Sequence, residues 1–471
     1  MLQGWCEFLS PDDLERIHKT SMKVMNEVGI SFPHEESIAV FEAHGFKADG
    51  EKVFFEEQQV LDALALVPHQ FTVHAQNPEK NVVVGDGNPV FAPGYGAPFL
   101  VDYEAGKREP TMADYEDLVR LADALPNQDI SGHLLVEPSD VPSGTAHLQM
   151  LKAHMVHSDK PFLGSTEGQN GAANTMAMAS ILFGEEIGER SVTVGLINSL
   201  SPLGYSGEML RALMVYAHHR QPIVIAALAM AGATGPITLA GLLAMQNAEL
   251  LAGVVFAQLV SPGTPVLYGS TSTNIDMKTG SLAVGSPELA LMISGHAQLA
   301  RYYGLPARSG GALSDASFPD AQAGFESMSS LLTTVNSGVD FVLHAGGILS
   351  SYLAFSAEKL VLDDEMCGML RQYEKGIEVT SDTLGYEVIA SVGSEGNYLM
   401  ELNTVERSRS EFWAPTVVDR SGLEEWMAGG RERAVDRAHA RWKRLVAQHE
   451  DPPLEVTTVR QLERFVEDRT G

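Results

Sequence analysis

The stretch "DFVLHAGG", residues 340–347, runs apolar from Phe341 to Leu343 and then breaks into a histidine, an alanine and two glycines. An apolar run bounded by turn formers reads as a short buried strand, with His344 where the strand gives way to a loop. The theme recurs along the chain in "DISGHLLV" (129–136), "PFLGST" (161–166), "SVTVGLINS" (191–199), "PIVIAALA" (222–229), "PVLYGST" (265–271), "ARSGGA" (307–312) and "YEVIASVG" (386–393). Runs about 30 to 45 residues apart predict successive βα units, hence an α/β fold whose parallel sheet closes as a (β/α)8 TIM barrel. Periodicity does not report closure, so an open doubly wound sheet stands as the alternative.

Working outward, "TLAGLLAMQNAELLAGVVFAQLV" (238–260), "SPELALMISGHAQLARYYG" (286–304) and "FSAEKLVLDDEMCGMLRQY" (355–373) read as intervening helices. At the amino end, "SPDDLERIHKTSMKVMNEVGI" (10–30) offers Ser10 as N-cap, Pro11 at the first helical position and Gly29 as the stop. Short strands and a helix follow, which makes residues 1–110 an α+β cap. Thr111 and Asp114 form a capping-box pattern before a leucine-rich helix that opens the barrel domain, 111–405. The remainder, 406–471, includes "EEWMAGGRERAVDRAHARWKRLVAQ" (424–448) and reads as a charged helical extension outside the barrel.

Composition narrows the function classes. The 471 residues are 44% hydrophobic, enough for a large core. Lys and Arg number 32 against 61 Asp and Glu, a net charge of −29, so the field repels nucleic acid and anionic membranes as partners. The start shows no basic region followed by an apolar one, and no unbroken apolar run reaches the roughly 20 residues of a membrane span, so a cytoplasmic location is expected. Cys6 and Cys367 supply neither a disulfide framework nor a thiolate zinc cluster. No metal bound by this chain is expected.

Loops at the carboxyl ends of barrel strands build active sites. Asn198, Ser199, Ser270, Thr271, Arg308, His344, and Ser394 with Glu395 fall at such positions. A buried guanidinium needs an anion. For Arg308 that anion is either Asp315 or Asp320 nearby in sequence, or a substrate carboxylate gripped with His344 beside it. Lys160 precedes its strand, at the wrong end for a Schiff base, and His133 lies mid-strand. Glu249, within an apolar helix, is expected to make a buried hydrogen bond, and Asp363, Asp364 and Glu365 to form a solvated helix face.

Several blocks together resemble the trimethylamine methyltransferase family, in its branch that lacks pyrrolysine: "REPTMADYEDLVRLADALPN" (108–127), "EPSDVP" (137–142), "HSDKPFLGSTEG" (157–168), "DASFPDAQAGFES" (315–327), "FSAEKLVLDDE" (355–365) and "RSEFWAP" (409–415). The resemblance implies a barrel enzyme that passes a methyl group from a quaternary amine to the Co(I) of a corrinoid (cobalamin) carried by a partner protein. Glycine betaine is the best-known substrate of that branch. Carnitine, proline betaine, γ-butyrobetaine and a non-catalytic betaine-binding role remain as alternatives. Where the family pattern leads one to expect a glycine-rich stretch and a His-Thr pair after the eighth strand, this chain has "GSEGNYLMELNT" (393–404). A trimethylammonium head favours electron-rich rings, for which Tyr95, Tyr205 and Phe355 are candidates, and its carboxylate falls to Arg308 and His344. Asn198, Ser199, Ser270 and Thr271 are assigned to the corrinoid side, and a homo-oligomer is expected.

Overall fold

The computed structural model describes residues 6–167, 170–394 and 396–470. One parallel sheet runs in the order Val90–Ala92, Phe341–Leu343, Ala307–Ser309, Val266–Ser270, Ile223–Ala227, Thr193–Asn198 and Phe162–Leu163. The two ends of this row are joined by the extended segment 129–132. Asp129 N and Ile130 N donate to Phe91 O at 2.8 and 3.3 Å, Ser131 N donates to Pro161 O at 2.9 Å, and Leu163 N donates to Gly132 O at 3.0 Å. The ring is therefore closed with eight places, as a (β/α)8 barrel.

Two expectations change. The first place belongs to Val90–Ala92, which the sequence reading put in the cap, and residues 386–393 form the helix Tyr386–Val392 instead of the eighth strand. Once Val90–Ala92 pairs with Phe341–Leu343 no edge remains open, so the β-branched residues of 386–393 have no ladder to join. Ser394 and "GSEGNYLMELNT" consequently lie away from the barrel strands, and Glu395 lies outside the described residues.

Alternation along the strands sets the interior. Val90, Ala92, Ile130, Leu163, Val194, Leu196, Val224, Ala226, Leu267, Phe341 and Leu343 form one buried cluster. Val73, Val82 and Val84, from an antiparallel hairpin of Phe71–Val73 with Val82–Val84, join that cluster and plug the amino-terminal end. Register places Arg308 opposite Gly269 on one side and Phe341 on the other, so its side chain belongs to the inner wall. Gly269 makes room for it: a Cβ there would stand 3.3 Å from Arg308 Cδ.

Outside the ring, the helix Pro11–Glu27 starts as expected, with Ser10 and Asp13 closing a capping box. It packs on Leu239–Val260, a helix long and apolar enough to cross a membrane that is instead mostly buried in the fold. Ala434–Gln448 packs on Ala357–Lys375, and Val456–Thr470 on Ser143–His157.

Candidate active site

The Phe341–Leu343 strand ends at His344, whose φ of +69° is a left-handed conformation that costs a non-glycine residue about 1–3 kcal/mol. The bend turns the imidazole toward the loop after the first barrel strand. There His344 Nδ1 accepts a hydrogen bond from the Tyr95 backbone N at 3.1 Å. An acceptor Nδ1 leaves the ring proton on Nε2, so the residue presents an N–H donor. Burial, reinforced by the Arg308 charge, holds the His344 pKa well below its ordinary value and keeps the ring neutral.

Arg308 is 3% exposed, and among the described residues no carboxylate or carbonyl accepts from its guanidinium; its Nε is buried with no partner. Burial lowers its pKa to about 10, so it remains a cation at neutral pH. The in-chain candidates are engaged elsewhere. Asp315 accepts from Val284 N and Gly285 N at 2.9 Å each and from Ser351 Oγ at 2.7 Å, while Asp320 caps the helix Ala321–Asn336 through Gln322 N and Ala323 N. A buried cation left without a counterion is costly, and such a group marks a place for an anionic ligand.

Tyr352, which sequence reasoning missed, stands over this pair. Ser350, Ser351 and Tyr352 all have positive φ (51, 55 and 75°). This turn is tied down by Ser351 Oγ on Asp315, by Ser350 N on Ala316 O at 2.9 Å and by Ser351 N on Ser314 O at 3.2 Å. The Tyr352 ring meets the His344 ring edge-on at 4.9 Å between centroids. Among the described residues its buried hydroxyl has no partner at hydrogen-bond geometry, yet Thr271 and the Arg308 charge oppose burial closely enough that its pKa rises no further than about 12. Residues 348–355 look like a strand pair around an ordinary turn, and only the backbone angles show that Tyr352, three residues before the proposed Phe355, is the ring swung inward.

Across from it Tyr95 is half-buried, its phenol pKa raised by burial and by nearby Glu167. Glu167 is itself raised to about 7, through burial and then the Glu137 charge. His133 lies past the extended segment, not in mid-strand. It is fully buried 6.4 Å from the Tyr95 ring, and among the described residues neither ring nitrogen has a hydrogen-bond partner.

Other expected residues fall elsewhere. Tyr205 packs outside the ring, donating to Glu249 O at 2.7 Å and stacking on Phe32 at 5.4 Å, and the fully buried Phe355 ring lies against Gly347, where a Cβ would come within 2.4 Å of it. Neither faces the barrel interior. Asn198 and Thr271 continue the inward alternation, Asn198 exposed at the top of its strand and Thr271 buried beside Tyr352. Ser199 and Ser270 point the other way and are committed to the helix Leu239–Val260, Ser199 Oγ to Glu249 at 2.6 Å and Ser270 Oγ to Gln246 at 2.8 Å. Glu249 makes the buried hydrogen bonds expected of it, accepting also from Ser201 Oγ and Leu203 N at 2.8 Å each. Asp363, Asp364 and Glu365 are buried, not solvated, each with its own partners: Lys359 Nζ with Gly347 N, Asn127, and the Thr416–Val418 backbone.

Above the ring, Leu200, Leu228, Ile237, Met277 and Leu353 are exposed on the post-strand loops; Met277 is 73% exposed and lies near Ile237 across Gly232. A closed barrel with a buried cation that no described residue neutralises, and an apolar rim at its mouth, is an arrangement suited to an anionic small molecule inside and a second macromolecule above. The model of the trimethylamine methyltransferase family, MTTB, matches residues 3–471, and the chain belongs to that family of methyltransferases. It is 46% identical to glycine betaine methyltransferase of Desulfitobacterium hafniense, covering 98% of this chain and 96% of that one. Proline betaine:corrinoid methyltransferase of Eubacterium limosum is 32% identical, with 98% and 97% covered. Among solved structures, monomethylamine methyltransferase of Methanosarcina barkeri has the same fold, with a TM-score of 0.53, 14% identity, and 94% and 90% of the chains covered.

Proposed function

We propose that this methyltransferase takes a betaine, glycine betaine first, and passes one N-methyl group to a corrinoid carried by a partner protein. The unpartnered, buried Arg308 carries this reading, because a simple methylamine has no anionic end to satisfy it. Arg308 and the Nε2–H of His344 grip the carboxylate as two donors, one charged. Tyr352 and Tyr95 offer ring faces to the trimethylammonium head, and the carboxyl of Glu167 adds negative charge beside Tyr95. The domain of this work is the barrel interior, with the cap and the helical extension as its supports.

Little chemistry is asked of the side chains. The quaternary nitrogen already carries the charge that makes it a leaving group, so as the C–N bond breaks the electron pair stays on nitrogen, dimethylglycine departs neutral at nitrogen, and no residue has to supply a proton. Fixing the carboxylate at the barrel wall orients the methyl groups, and positioning of this kind can supply several kcal/mol of barrier reduction. When brought to the mouth, the Co(I) of the corrinoid supplies the nucleophile. The rim of Leu200, Leu228, Ile237, Met277 and Leu353 suits a flat, partly apolar visitor, and inward-facing Asn198 and Thr271 lie below it.

A substrate panel with reduced cobalamin as acceptor tests the proposal: dimethylglycine forms from glycine betaine, and trimethylamine is not consumed. Turnover of trimethylamine without turnover of any betaine would overturn it, as would betaine binding with no transfer in the presence of a competent corrinoid protein.

A further inference from the structure

Arg308 and His344 belong to neighbouring strands, and both strands run out into paired glycines, Gly310 and Gly311 after the first, Gly346 and Gly347 after the second. Glycine pairs leave a backbone free to move, so the spacing between the two side chains has to be fixed from outside. The helix Ala357–Lys375 reaches both loops. Lys359 Nζ donates to Ala312 O at 2.9 Å, in the loop that follows Arg308, and Asp363 Oδ2 accepts from Gly347 N at 2.8 Å, in the loop that follows His344. The two side chains meet at 2.6 Å, and the ammonium also donates to Ser327 Oγ at 2.8 Å on the helix Ala321–Asn336. Lys359 and Asp363 are each 1% exposed.

Local helix physics does not favour this pair. Lys359 stands in the first turn, just behind the N-cap Ser356, where the positive end of the helix dipole repels a cation. An acid four residues after a base is also the weaker order for a helical ion pair. Burial does not favour it either, because hydrophobic residues of similar volume often serve stability as well as a buried ion pair or better. What the pair provides, and apolar side chains would not, is an ammonium whose donors point at fixed acceptors together with a carboxylate that holds an N–H. The loops lie close enough for such a tie to act: a Cβ on Gly311 would stand 2.9 Å from Ala345 Cα, and one on Gly346 3.2 Å from Asp363 Cβ.

We propose that Lys359 and Asp363 are positioning residues, a brace that fixes the Arg308 loop and the His344 loop to one another and so sets the spacing of the two carboxylate donors. The brace rests on the reading of Arg308 and His344 as the carboxylate grip, and it acts through the loops, not on the ligand. Other contacts anchor each loop singly. Gly310 O accepts from Thr334 Oγ1 and Gly311 O from Ser330 Oγ, while Gly346 O accepts from Gly94 N. The ion pair joins the two.

Hydrogen exchange and calorimetry on the full chain test the brace with the double variant Lys359→Met, Asp363→Leu, which removes both charges together and so leaves no unpaired buried ion. Near-UV circular dichroism checks its fold. In the ligand-free variant, exchange over residues 309–313 and 344–348 is expected to rise in both loops together, by about tenfold, with the barrel strands unchanged. Glycine betaine should bind about tenfold more weakly, while tetramethylammonium, which has no carboxylate to place, binds as it does to the wild type. Ser327→Ala removes one acceptor and leaves the charges paired; it should move the same readings in the same direction by about two- to threefold, which keeps the test decisive if the double variant does not fold. Loops that stay protected overturn the brace, and so does exchange that rises in one loop alone. Released loops with an unchanged ratio of the two affinities overturn its positioning role. A wild type that binds the two ligands alike counts against the carboxylate grip, and the exchange result then decides the brace by itself.

Discussion

In the proposed reading, Arg308 and His344 divide the recognition of one carboxylate between a charge and a neutral donor, and removing each has a different signature. Arg308→Ala is expected to weaken glycine betaine binding by about 100-fold, near 3 kcal/mol, the scale for truncating one partner of a buried charged contact. Tetramethylammonium, which has the head without the carboxylate, should bind this variant about as well as the wild type, and calorimetry with both ligands checks the contrast. The pH dependence comes from another residue. Arg308 keeps its proton up to about 10 and His344 is neutral across the physiological range, whereas Glu167 titrates near 7. Its carboxyl becomes negative as pH rises through that value, so affinity for the cationic ligand should increase from pH 6 to pH 8, and Glu167→Gln should flatten the curve. At this scale the strand-end placement of Arg308 and His344 was legible in the sequence, because each stands where a strand runs out into glycines. Tyr352 was not, since nothing in "SSYLAF" signals three successive left-handed residues.

Among elements, the turn 350–352 and the strand-end glycines depend on carboxylates that the sequence reading offered to Arg308 or placed on a solvated face. Asp315 joins the turn to the Val284–Gly285 backbone, so Asp315→Asn should free Tyr352 and raise the betaine dissociation constant about tenfold, with a smaller loss of stability typical of a buried hydrogen-bond defect, about 1–3 kcal/mol. Asp363 receives Gly347 N at 2.8 Å and Lys359 Nζ at 2.6 Å. Lys359→Met leaves that carboxylate buried without its cation and is expected to cost about 3–5 kcal/mol, read as a lower denaturation midpoint; adding Asp363→Leu should recover much of it. The strand rhythm was read correctly in seven of eight places because βα spacing is a local property. The eighth was misplaced because which run closes a ring depends on partners far away in sequence: "NPVFA" (88–92) is shorter than "YEVIASVG" (386–393) and no more β-rich, and only the first finds open edges on both sides.

Taken whole, the molecule places the proposed ligand grip inside the ring and its apolar rim on the loops above. Met277→Asp should therefore lower kcat/KM for a corrinoid protein at least tenfold while glycine betaine affinity, measured by calorimetry, stays unchanged. Equal loss in both measurements would mean that the rim supports the ligand site directly.

The pairing of Val90–Ala92 with Phe341–Leu343 also governs how the chain comes into being. These neighbours are 251 residues apart, so at ~5–20 residues per second a ribosome spends about 13–50 s between making one side of the seam and making the other. Through that interval the nascent sheet is an unclosed crescent with both rims bare, and its last stitch waits for the very segment that ends in His344.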